Sequence, residues 1–123
     1  MKGPPLLLVA LALGAGCSFP PAAGPGPAVV GVWRSVSGLE QFVEVRPLEI
    51  RTLTWNSPER CYQAFEYALR EESPPDRPVY GRGARTWTLS SDDGSVLVAE
   101  RRGLGEASTR TYERTTSRAS NTC

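Results

Sequence analysis

The sequence predicts a small all-β protein, an antiparallel up-and-down barrel of seven or eight strands. Short runs dense in β-branched and aromatic residues recur between Val30 and Arg114. Turn chemistry separates them, at Ser37-Gly38, Pro47, Asp92-Asp93-Gly94 and Gly103-Leu104-Gly105. A third observation is size. Once residues 1–29 are set aside on composition, a single small domain remains, and closing its sheet removes the exposed edges that an open one would carry.

In chain order, Met1-Lys2 supplies a short positive region, residues 6–13 (LLLVALAL) an apolar core, and Gly14-Ala15-Gly16 small residues. That core is too short for a helical span, which needs about 20 residues, so residues 1–16 read as a signal peptide. Small residues running into Cys17 resemble the lipobox of bacterial lipoproteins, which implies a lipidated Cys17 as the mature N-terminus. Gly14 stands where that pattern usually has Leu, and ordinary signal cleavage is the alternative. Residues 17–29 carry no charge and four prolines, the composition of a flexible linker.

Three cysteines are present: Cys17, Cys61 and Cys123. With Cys17 lipidated, the other two form an even pair in an oxidising compartment and are expected to be disulfide-bonded. Such a bridge would pin the polar C-terminal tail and stabilise by about 4 kcal/mol in the chain-entropy model. Two distant cysteines and no histidine make no zinc site, so no metal is expected.

Residues 31–36 (GVWRSV) read as the first strand and residues 39–46 (LEQFVEVR) as the second. Residues 48–55 (LEIRTLTW) alternate until Thr52, where the apolar parity shifts in the manner of a β-bulge. The segment 58–72 can be read twice. Ser57-Pro58-Glu59 looks like a helix start, giving an α+β alternative, whereas period two puts Cys61, Phe65, Tyr67 and Leu69 on one strand face. The strand reading completes the barrel and is preferred. Residues 73–84, rich in Pro, form the longest loop, with shorter ones at 56–60 and 102–106. Residues 85–90 and 95–101 flank Asp93-Gly94 as a hairpin, and residues 107–114 close the series.

Lys2 is the only lysine, so the remainder carries 13 arginines against 13 acidic residues, and no histidine. Near-neutral charge argues against nucleic acid as a partner. Lacking histidine, lysine and a free thiol, the folded part offers no catalytic constellation. No enzyme activity and no cofactor are expected.

Gly31-Val32-Trp33 opening the first strand, with Arg114 on the last, resembles lipocalin-like small β-barrels, in particular the short domains of bacterial lipoproteins. The resemblance covers residues 30–116 and implies that Trp33 plugs one barrel end while Arg114 packs across its ring. It makes 30–123 one lipocalin-like domain. Arg110 and Tyr112 share a strand face, and this Arg-x-Tyr resembles the carboxylate-gripping pair of fatty-acid-binding proteins. Both are candidate ligand-binding residues; the alternative pairs these arginines with Glu40, Glu44 or Glu100.

These readings converge on a non-enzymatic cell-envelope lipoprotein, held to a bacterial membrane by its lipid anchor and facing periplasm or exterior. Ser18 is not acidic, which favours the outer membrane in a Gram-negative cell. Its barrel would bind a small apolar or acidic ligand or an envelope protein. The alternatives are an assembly accessory of the envelope and a barrel-type enzyme inhibitor.

Overall fold

A computed structural model describes residues 26–37, 40–71 and 73–123. The signal peptide, Cys17 and the linker up to residue 25 lie outside the described residues. Eight strands follow in order: β1 Gly31–Ser35, β2 Gln41–Val45, β3 Glu49–Asn56, β4 Cys61–Leu69, β5 Val79–Arg82, β6 Arg85–Ser90, β7 Val96–Gly103 and β8 Glu106–Arg114. Each pairs antiparallel with its neighbour in sequence, and β8 returns to β1 through Trp33↔Arg114 and Ser35↔Tyr112. The result is a closed up-and-down barrel, with no helix among the described residues.

The two-way reading of 58–72 resolves as strand β4. Its eight pairs with β3 run from Glu49↔Ala68 to Asn56↔Cys61. Helix propensity is overridden because Tyr67 faces the core opposite Ile50, a long-range packing gain that local preference cannot match. The loop expected over 73–84 contains β5, whose four residues pair with β6 from Val79↔Thr88 to Arg82↔Arg85. Its brevity between Pro78 and Gly83 is why it was not legible as a strand.

No bulge interrupts β3, whose register with β2 is continuous from Gln41↔Thr54 to Val45↔Ile50. The apolar parity shifts for another reason: Leu53 faces outward by register yet is 1% exposed. Phe42, its partner across the ladder, is likewise buried on the outer face and meets Tyr62 edge-on with ring centroids 5.7 Å apart. The C-terminal tail bounds this outer cluster. Arg118 approaches Glu44, Asn121 Nδ2 donates to the Arg60 carbonyl, and Thr122 bridges Tyr62 in parallel. Cys123, bonded to Cys61 with Cα atoms 5.1 Å apart, fastens the tail to the start of β4.

Inside, Trp33, Val43, Ile50, Tyr80, Leu89, Leu97 and Tyr112 are fully buried and fill the lower and middle barrel. The Asp-Gly hairpin is present between β6 and β7, with Gly94 at φ +85°, its N–H donating to Ser91 Oγ and Asp93 Oδ1 accepting from Ser95.

Candidate functional site

The two barrel ends are built differently. At one pole, where β8 finishes, Trp33 is completely buried and its Nε1–H donates to the Val29 carbonyl at 2.9 Å. The guanidinium carbon of Arg114 lies 4.3 Å from the Trp33 ring centroid, an arrangement that combines packing with cation–π attraction. Its nitrogens donate to the carbonyls of Gly94, Val30 and Ala28 at 2.8, 2.8 and 2.9 Å. Gly31 makes this approach feasible, because its φ is +139° and a β-carbon there would overlap Arg114 Nη1. Gly31, Trp33 and Arg114 therefore meet, and together they draw residues 26–30 across the end of the barrel and shut it. Gly26 N–H also donates to the Pro75 carbonyl at 3.1 Å.

Arg110 and Tyr112 point inward from β8. Gln41 Oε1 accepts from both, from Arg110 Nη1 at 3.2 Å and from the Tyr112 hydroxyl, while Gln41 Nε2 donates to Thr54 Oγ1. Burial pushes the Tyr112 hydroxyl up to about 12, against the opposing pull of Arg110 and Arg101. Neither Arg110 nor Arg114 pairs with Glu40, Glu44 or Glu100. Parity is the reason: Glu44 lies opposite Val32 and Glu100 opposite Thr109, both on the outer face, whereas Arg110 is on the inner one. Glu44 pairs with Arg46 and Arg118, Glu100 with Arg77, and Glu40 accepts from the Tyr62 hydroxyl.

Above Arg110 the barrel opens. Only Ala68↔Gly81 and Leu69↔Tyr80 join β4 to β5, so the first half of β4 overhangs the short β5–β6 hairpin. By register Phe65 faces inward with Thr52, yet it is 37% exposed, and Ser108, inward opposite Arg101, is exposed as well. The mouth is floored by Trp87 and Tyr67, whose rings lie 5.8 Å apart.

A hollow of about 280 Å³ at this mouth is lined by Arg85, Arg101, Arg102, Trp87 and Ser108, with Glu106 as its one carboxylate. Arg101 is its most constrained member. The guanidinium sits 5.2 Å over the Trp87 ring and its Nη1 donates to Ser108 Oγ at 3.3 Å. Its Nε is buried and has no hydrogen-bond partner. Desolvation, and then repulsion by Arg110 and Arg85, lowers the affinity of Arg101 for its proton. Among the described residues no carboxylate forms an ion pair with Arg82, Arg85, Arg101, Arg102 or Arg110. The matched totals of arginine and acidic residues in the sequence give no hint of this. The available signal was period two: Arg101 follows Leu97 and Ala99 on the inner face of β7.

At the opposite pole a hollow of about 210 Å³ is lined by Asp92 and Asp93 in the β6–β7 turn. No group of three metal-ligating side chains occurs among the described residues. No family model, no curated protein and no solved structure matches the chain.

Proposed function

We propose that this chain is a non-enzymatic cell-envelope lipoprotein whose barrel binds a small acidic ligand at its open mouth. The observation that carries the reading is a hollow at the open mouth lined by Arg85 and Arg101, which form no ion pair among the described residues. A buried donor such as Arg101 Nε costs stability until something accepts from it, and an anion entering the mouth would be that acceptor. By register Arg85 and Arg101 face inward while Arg102, opposite Thr86, faces outward, so two inward arginines stand against the one carboxylate of Glu106 and leave a positive surplus where a guest would sit. Arg110 stands one inward position deeper and adds to the field.

Size narrows the guest. Ligand cavities usually exceed about 300 Å³. A hollow of about 280 Å³ above a floor of Trp87 and Tyr67 therefore suits a small anion better than a lipid drawn into the barrel. The apolar-carrier side of the expectation gains no support, because the interior beneath is filled by Leu89, Leu97, Tyr112 and Trp33. Orientation fits the anchored reading. The chain enters at the shut pole through residues 26–30, so a tether from Cys17 would leave the mouth pointing away from the membrane.

The test is thermal unfolding with phosphate, citrate or hexanoate added at constant ionic strength. Binding to the native state alone raises the melting temperature. At least one anion is expected to do so in the wild type, and Arg101→Gln should remove the rise while the variant still unfolds cooperatively. If no anion stabilises the wild type, the acidic-ligand reading fails and an envelope protein becomes the default partner. Cys17→Ser tests the anchor separately, by moving the protein out of the membrane fraction or blocking its processing.

A further inference from the structure

We infer that the ligand is an anionic amphiphile that enters head first, its anionic group on Arg101 and Arg85 and its apolar part resting outward on Leu104 and Phe65. This rests on the acidic-ligand reading and adds an apolar subsite to it. A second hollow, of about 290 Å³, adjoins the first, and the two share Tyr67, Arg85 and Leu104. Phe65 lines the second hollow, where the Arg82 guanidinium lies 5.0 Å over its ring. One continuous surface thus passes from unpaired guanidiniums to exposed apolar carbon.

Leu104 is the residue that calls for an explanation. It occupies the first central position of the two-residue β7–β8 turn, at φ +54°, with Gly105 following at φ +82°. Positive φ at both positions is the signature of a turn that favours Asn or Gly; a leucine there is strained. Its side chain gains no burial in return, being 75% exposed. Strain held without a packing reward is characteristic of a residue retained for contact with something else. Direction follows from the floor. Tyr67 is 7% exposed and Trp87 3%, and Leu89 and Leu97 below them are fully buried, so an apolar chain has no way down. The head alone fits inward, and the chain must turn out along Leu104 and Phe65.

The experiment is isothermal titration of the full chain with hexyl phosphate, inorganic phosphate and hexanol. Wild type is compared with Leu104→Asn and with Val96→Thr, an exposed apolar position on β7 at the other pole. Hexyl phosphate should bind wild type roughly ten-fold more tightly than inorganic phosphate, the effect of partly burying a few methylenes. Leu104→Asn should erase that preference, leave inorganic phosphate binding unchanged and raise the melting temperature, since Asn tolerates positive φ. Val96→Thr should alter neither affinity. Equal affinity of wild type for the two phosphates would overturn the amphiphile inference while the anion site stands. Hexanol binding as tightly as hexyl phosphate would overturn the head-first orientation. Binding of neither phosphate would defeat the acidic-ligand reading itself.

Discussion

Each pole of the barrel places an arginine over a tryptophan, and the difference between the two pairs shows how differently the two ends are built. Arg114 over Trp33 has three backbone carbonyls accepting from it, and the ring beneath is wholly buried. Arg101 over Trp87 has one hydroxyl contact at 3.3 Å, a buried Nε with no acceptor, and two further arginines that lower its proton affinity. The first pair is satisfied and shuts the barrel. The second is unsatisfied and faces an opening. The same two residue types are satisfied at one end and left unsatisfied at the other because backbone carbonyls accept from the arginine at only one of them.

The sharpest way to break this comparison is to empty the closed pole. Trp33→Ala removes the largest fully buried side chain, at a cost of about 3–5 kcal/mol, comparable with the whole stability of a small domain. Circular dichroism should show the variant largely unfolded at 37 °C. A cooperative transition near the wild-type temperature would mean that the plug is dispensable.

A smaller effect belongs to the tail. Cys123→Ser should lower the melting temperature by roughly 15 °C or more, given a bridge that stabilises by about 4 kcal/mol in the chain-entropy model and a shift of about 4–8 °C per kcal/mol in a domain this small. The loss should be uneven. Hydrogen exchange is expected to rise around Tyr62, where the tail's Asn121 carbonyl and Cys123 N–H pair with β4, and to stay slow around Trp33. Uniform acceleration would show the tail to be a global fastener rather than a brace for the mouth.

How much of this was legible beforehand depended on parity. Seven of the strands follow from local patterns whose physical meaning is the same wherever they occur, the Cys61–Cys123 bond from the count of cysteines, and the meeting of Trp33 with Arg114 from the resemblance to lipocalin-like barrels. The misread bulge in β3 and the missed mouth share one cause. Outward Leu53 looked like a change of face because nothing in its own segment announces that the outer face is buried there too. The sequence sets thirteen arginines against thirteen acids, yet Glu44 and Glu100 stand on the outer face of the wall, whereas Arg101 is on the inner one. Charge totals are blind to which side of a sheet a charge occupies.

The smallest expected effect lies in alkali. Burial holds the hydroxyls of both Tyr80 and Tyr112 up to about 12, from an ordinary value near 10. A raised value means that the folded state favours the neutral phenol. The stabilising contribution is complete below about pH 10 and is lost as pH climbs toward about 12. Tyr80 bonds to the Arg46 carbonyl on the closed side and Tyr112 to Gln41 on the open side. Each Tyr→Phe change should flatten part of the decline in melting temperature over that window. A decline unchanged in both variants would assign the alkaline loss to other groups.

The central claim, that one pole recognises an anion and the other only closes the barrel, has a direct reporter at each end. Indole N–H resonances of Trp33 and Trp87 can be followed by heteronuclear NMR while phosphate or hexyl phosphate is added at constant ionic strength. Trp87, beneath the unsatisfied Arg101, is predicted to shift saturably, while Trp33, sealed under Arg114 and bonded to Val29, stays still. A stationary Trp87, or equal movement of both indoles, would contradict the account.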